Sequence, residues 1–132
     1  MKNLRKYLFL CTFFLPLFLS AQYQKGDVVK WSADRKLAWK DYLAKPDPSN
    51  GAAAITSTYI GIQNSYTDKS FSYTISSGFI KNKSWVRVQD DHVLKHEQGH
   101  FDITEIYARK LFKALREYRF NRNAVEKDVD KI

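Results

Sequence analysis

The sequence predicts an α+β domain in which a small, mainly antiparallel sheet packs against one long C-terminal helix. Two observations lead to this prediction. Before residue 90, segments rich in Thr, Ile and Tyr alternate apolar and polar residues, which is typical of strands with one buried face. From about Asp91 the apolar residues recur every three or four positions, which indicates an amphipathic helix, and no proline interrupts the pattern.

The strands are predicted from three segments. "AAAITSTYIGIQ" follows a loop marked by Pro46 and Pro48, and the next segment, "NSYTDKS", is predicted to be a turn. "SFSYTISSGFI" places Phe71, Tyr73 and Phe79 on one face and serines and threonine on the other. "KSWVRV" adds a short further strand.

The helix is predicted to begin near Asp91, with Asp90 or Asp91 as its cap. Residues spaced three or four apart share one helix face, which we expect to pack on the sheet. They are Val93, His96, His100, Ile103, Tyr107, Leu111, Ala114 and Tyr118.

The first 21 residues have the layout of a secretory signal peptide. A basic start is followed by an apolar run from about Tyr7 to Leu19, and Ser20 and Ala21 provide small residues for cleavage. The alternative is an uncleaved anchor helix, although the run is short and interrupted by Pro16. We therefore divide the chain into a signal peptide, residues 1–21, and one domain, residues 22–132.

Composition indicates a basic domain without disulfide bonds. Residues 22–132 retain 19 of the 22 basic residues and all 14 acidic ones, a net charge of +5, but contain no cysteine for a disulfide. Basic residues gather on the end of the helix as a flank that we interpret as solvated rather than as a nucleic-acid site. They are Arg109, Lys110, Lys113, Arg116, Arg119 and Arg122.

The segment "HEQGH" contains His96, Glu97 and His100 in the H-E-x-x-H arrangement of zinc hydrolases. Histidines four apart emerge one helical turn from each other and can bind one metal ion. Zinc lowers the pKa of a bound water to roughly 7 and polarises a carbonyl, and Glu97, expected at the edge of the buried face, would act as general base.

The stretch "LKHEQGHFDITEIYARKL", together with "KLAWKDY", "AAAITS" and "KSWV", resembles a bacterial family. The family is catalogued as domain of unknown function 922 and described as predicted secreted zinc-dependent proteases. The similarity covers most of residues 30–118, and "HEQGHFDITE" is its most specific part. The resemblance implies a zincin-like fold, with His96 and His100 as zinc ligands and Glu97 as the catalytic residue.

A third zinc ligand is not evident, although a catalytic zinc normally has three protein ligands. Glu105 points about 180° from His96, and we expect it and Asp102 to face solvent or to pair with Arg109. His92 could contribute only if the helix begins after it. The remaining candidates are Asp41, in "WKDY", and Glu117, while Tyr66, Tyr73 and Tyr107 are candidates to stabilise an oxyanion.

We therefore expect an exported, periplasmic or secreted zinc metallopeptidase that acts on a peptide or protein substrate. The alternative is a non-catalytic cell-envelope domain with a structural metal site or a partner-binding role. A peptidase should present an edge strand beside the helix, on which a peptide can lie, whereas an interaction module should show a closed site. Contact with a membrane is expected only through the signal segment before cleavage.

The signal layout generates the first testable prediction. The exported protein should begin at Gln22, because cleavage is expected after the small residue Ala21. Intact mass spectrometry of the exported fraction measures this directly. Recovery of the uncleaved chain would show that the segment is retained as an anchor.

Overall fold

The structure, a computed structural model, describes residues 26–132. The predicted signal segment, residues 1–21, lies outside this range. The described residues form five strands and two α-helices: β1 (Val28–Lys30), β2 (Ala54–Ile55), β3 (Thr58–Tyr66), β4 (Phe71–Ile80), β5 (Trp85–Val86), α1 (Asp91–Glu117) and α2 (Val125–Val129).

The main sheet has three antiparallel strands in the order β1-β4-β3, and α1 packs across one of its faces. The predicted α+β class is therefore confirmed. Strand β4 lies in the centre because it pairs with both β1 and β3, and its Phe79 is completely buried beneath the helix. The hairpin from β3 to β4 is longer than predicted: β3 continues to Tyr66, so the turn comprises only residues 67–70.

The segment predicted as one strand, "AAAITSTYIGIQ", is divided into β2 and β3. Strand β2 pairs with β5 in a separate two-stranded sheet, whereas β3 pairs with β4. The change of partner occurs at Ser57, whose N–H donates to Ser84 Oγ at 3.0 Å. Ser84 is fully buried and donates in turn to the Ile80 carbonyl at 2.7 Å. A buried serine thus satisfies the backbone where the chain leaves one sheet for the other.

Helix α1 comprises 27 residues and is about 40 Å long. It begins as predicted, because the Asp90 side chain caps it by accepting hydrogen bonds from the N–H groups of His92 and Val93. Within residues 26–132, no helix is both long and apolar enough to cross a bilayer.

The predicted buried face of α1 is wrong by about one residue. His96, His100, Ile103 and Tyr107 are exposed, and the buried residues are Glu97, Phe101, Ala108 and Leu115. The helix carries apolar residues in two neighbouring columns, so periodicity alone does not select between them. The sheet selects the column of Phe101, which packs against Phe79 with ring centroids 6.0 Å apart.

The segment before β2 completes the core on the same face. Leu37 and Tyr42 join Phe79 and Phe101 in one buried cluster, and Trp39 packs at its margin. Side chains hold this segment to the helix by hydrogen bonds: Trp31 Nε1 donates to Asp102, and the Leu37 N–H donates to Gln98, each at 2.8 Å. Trp31 and Trp39 therefore pack against the core cluster.

Gly78 in β4 generates a prediction about stability. A β-carbon there would overlap the Tyr59 ring and lie 2.7 Å from Val28 Cγ1. Gly78→Ala should therefore lower the free energy of unfolding by about 1–3 kcal/mol through overpacking. Urea denaturation measures the change, with Gly51→Ala as the control, because nothing lies within 4 Å of a β-carbon there. Equal midpoints for the two variants would contradict the assignment of Gly78 to a close contact.

Candidate metal centre

His96 and His100 lie on consecutive turns of α1 and direct their imidazoles towards the same point. Their Nε2 atoms are 3.1 Å apart, and the ring planes are nearly perpendicular, at 88°. Two nitrogens that each lie about 2.0–2.1 Å from a tetrahedral zinc ion are roughly 3.3 Å apart. The spacing of the imidazoles therefore fits two ligands of one zinc ion.

Glu97 completes the cluster from the buried side. One ligand atom from each of His96, Glu97 and His100 lies within 4.8 Å of the others. The sequence placed Glu97 at the edge of the buried face, and this prediction is wrong: Glu97 is only 5% exposed and lies inside that face. Its Oε2 atom is buried and has no hydrogen-bond partner among the described residues. Such a group is costly unless a bound species satisfies it, and two imidazoles beside a carboxylate suit zinc.

Tyr42 is a neighbour of Glu97 that the sequence did not single out. Burial raises the pKa of the Tyr42 hydroxyl to about 12, and the negative charges of Glu97 and Asp41 act in the same direction. The hydroxyl lies 2.9 Å from Thr56 Oγ1, and this hydrogen bond partly opposes the rise in pKa. Tyr42 therefore keeps its proton at neutral pH and adds no negative charge beside Glu97.

Asp41 and Asp102, two candidates for the third ligand, have other roles. Asp41 is buried and accepts a hydrogen bond from Arg35 at 2.7 Å, which holds the turn before Tyr42. Asp102 accepts two hydrogen bonds at 2.8 Å, from Trp31 Nε1 and Gln98 Nε2. Neither carboxylate belongs to the histidine cluster.

Glu105 and Glu117 are also directed elsewhere. Glu105 pairs with Arg109 at 2.8 Å, as predicted, and also accepts a hydrogen bond from Ser77 Oγ at 2.6 Å. It therefore faces the sheet, away from the histidines. Glu117 is exposed, and its carboxylate lies 4.0 Å from Lys113 Nζ.

His92 could bind the same ion as His96 and His100 only if the helix began after it. Instead, His92 lies in the first turn of α1. It does line a cavity of about 230 Å³ together with His96 and Glu97, and residues 52–54 form the opposite wall. The structure thus places His92 beside the cluster but not in it.

The three tyrosines proposed as oxyanion donors are not gathered at the cluster. The Tyr66 hydroxyl donates to Glu126 at 2.7 Å, and Tyr73 packs against Phe112. Tyr107 is exposed, seven residues beyond His100 and therefore about 10 Å further along the helix axis. The sequence offered no signal to prefer Tyr42, because its burial depends on the fold.

Comparison with known proteins gives no relative for this chain: no family model, no curated protein sequence and no solved structure matches it. The resemblance to domain of unknown function 922 therefore stays a prediction.

Proposed function

We propose that this protein is an exported, zincin-like zinc metallopeptidase. One observation carries the proposal: two exposed imidazole Nε2 atoms 3.1 Å apart lie beside a buried carboxylate oxygen that has no partner among the described residues. The resemblance of "HEQGHFDITE" to predicted secreted zinc proteases agrees with it, as does the signal layout at the start of the chain.

In this proposal His96 and His100 hold the zinc ion through Nε2. When bound, zinc supplies a Lewis acid that polarises the substrate carbonyl and lowers the pKa of coordinated water. Glu97 accepts the proton of the attacking water at its carboxylate and passes it to the leaving amine. Glu97 is buried beside the imidazoles, and the neutral Tyr42 nearby introduces no competing negative charge.

The accessibility of the cluster favours catalysis over a structural metal site. Structural zinc sites are closed by four protein ligands, whereas catalytic sites keep an open position. Both histidines are exposed, and the described residues provide only two imidazoles and one carboxylate at the cluster. Strand β3, an edge of the main sheet, runs beside the helix and offers a place for a peptide substrate.

A second candidate function is a non-catalytic envelope domain that binds a partner or a structural metal. The lack of a third protein ligand near His96 and His100 within residues 26–132 favours the partner-binding role, because even a catalytic zinc normally has three protein ligands.

The ligand assignment predicts that the purified protein contains about one zinc ion per chain, and that His96→Ala/His100→Ala contains none. Elemental analysis after purification measures this. His92→Ala is the matched control, because His92 lines the same cavity without belonging to the cluster. Equal zinc in the wild type and the double variant would show that His96 and His100 do not bind the metal. Loss of zinc from His92→Ala would show that His92 is also a ligand.

The role of Glu97 predicts that Glu97→Gln keeps its zinc but loses hydrolysis by about 10²–10⁴-fold, because positioned proton transfer contributes that much. Its melting temperature should not fall, since a neutral amide replaces a buried, unpartnered charge. Digestion of a mixed peptide library, read by mass spectrometry, measures the activity.

The control for this substitution is Glu117→Gln, an exposed position on the same helix, which should hydrolyse peptides like the wild type. Undiminished cleavage by Glu97→Gln would exclude Glu97 from the mechanism. A wild type that holds zinc and cleaves nothing in the library would favour the non-catalytic domain.

A further inference from the structure

Another cavity lies between the start of α1 and the segment before β2. It has a volume of about 330 Å³. Its lining residues are Lys36, Leu37, Asp91, Leu94, Lys95 and Gln98. Gln98 is two positions from His96 and two from His100, so its side chain points roughly 200° away from each of them round the helix. The cavity therefore opens on the side of α1 opposite the candidate metal centre, and it shares no residue with that centre.

The floor of this cavity is apolar. Leu37 belongs to the buried core cluster, and Leu94 packs against that cluster. Gln98, the uncharged polar residue of the lining, is already paired: its Oε1 accepts a hydrogen bond from the Leu37 N–H, and its Nε2 donates to Asp102, each at 2.8 Å. An apolar group can therefore cover Gln98 without breaking these hydrogen bonds. The first of them also joins the two walls of the cavity, so the site is formed before a ligand binds.

The charged groups stand at the rim of the cavity. Lys36, Asp91 and Lys95 are exposed, and none of them forms an ion pair with another described residue. The Lys36 ammonium lies 5.9 Å from the centroid of the Trp31 ring, an arrangement that does not neutralise its charge. Two lysines and one aspartate give the rim a net charge of +1. A ligand with one negative charge would balance it.

We infer that this cavity binds a free fatty acid of medium chain length, with the hydrocarbon tail on Leu37 and Leu94 and the carboxylate at Lys36 and Lys95. Ligand cavities typically measure about 300–1,000 Å³ and combine an apolar lining with a few polar groups that fix orientation. A volume of about 330 Å³ is at the small end of this range, so the cavity suits one short tail rather than the two chains of a phospholipid. The lysine ammonium groups can donate charge-assisted hydrogen bonds to the carboxylate.

The test is an NMR titration of the isotope-labelled protein with octanoate, at concentrations below micelle formation. The amide signals of Leu37, Leu94 and Gln98 should shift together as octanoate is added. Affinity should fall from octanoate to hexanoate to butanoate, by about two- to fourfold for each methylene removed, because each buried methylene adds hydrophobic transfer free energy. Octanol supplies the same tail without the charge and serves as the neutral probe.

Charge variants at the rim test the position of the carboxylate. Lys36→Glu and Lys95→Glu should each weaken octanoate binding by about threefold or more, because an attractive pair becomes a repulsive one, and neither should change the affinity for octanol. Asp91→Asn removes the opposing charge and should tighten octanoate binding. Lys69→Glu, in the exposed turn between β3 and β4, is the matched control and should bind octanoate like the wild type. Leu94→Ser should weaken the binding of both probes.

Several results would overturn the inference. They are the absence of octanoate-dependent shifts at the cavity, wild-type affinity in both glutamate variants, no gain in Asp91→Asn, and equal affinities for butanoate and octanoate. Shifts at the same residues with phosphatidylglycerol vesicles but not with octanoate would overturn it in favour of a membrane surface. Sedimentation showing a dimer that Leu94→Ser dissociates would overturn it in favour of a second copy. The zinc and cleavage measurements test only the proposed peptidase, because the cavity and the cluster share no residue.

Discussion

The contact between Phe101 of α1 and Phe79 of β4 determines how the helix is rotated about its axis, and the functional geometry depends on this rotation. Residues four positions apart share one face of a helix, so Glu97 follows Phe101 into the interior. His96 and His100 each precede one of these residues, about 100° round the helix, and therefore emerge at the surface. A single aromatic contact thus makes the carboxylate buried and the imidazoles accessible.

Polar contacts on the far side of α1 stabilise the same rotation. Asp102 and Gln98 bind the segment that contains Trp31 and Leu37, and Glu105 binds Ser77 of the central strand. Rotation of the helix by one residue would break these part-buried hydrogen bonds, each of which contributes about 0.5–1.5 kcal/mol to stability. The carboxylates that might have served as zinc ligands are instead the groups that hold the helix in position.

Burial of Glu97 has an energetic cost that the rest of the fold offsets. A carboxylate oxygen with no partner among the described residues, near a neutral tyrosine, is poorly solvated. Catalytic sites often accept such a cost, because a fixed and weakly solvated group needs little reorganisation during the reaction. The same fold leaves His96 and His100 exposed, so the buried carboxylate and two accessible imidazoles lie within one cluster.

Local patterns in the sequence determined the element types, the helix start at Asp90, the antiparallel hairpin and the spacing of His96, Glu97 and His100. Each depends on periodicity, capping or residue order over a few positions, which a single sequence contains. Tertiary packing alone decided which of two apolar columns of α1 faces the sheet, and therefore that Glu97 is buried and Tyr107 exposed. It also decided that Tyr42 lies near Glu97 and that the chain changes sheets at Ser57. These features depend on contacts between residues distant in sequence, such as Phe101 with Phe79 and Ser57 with Ser84, and no local pattern encodes such contacts.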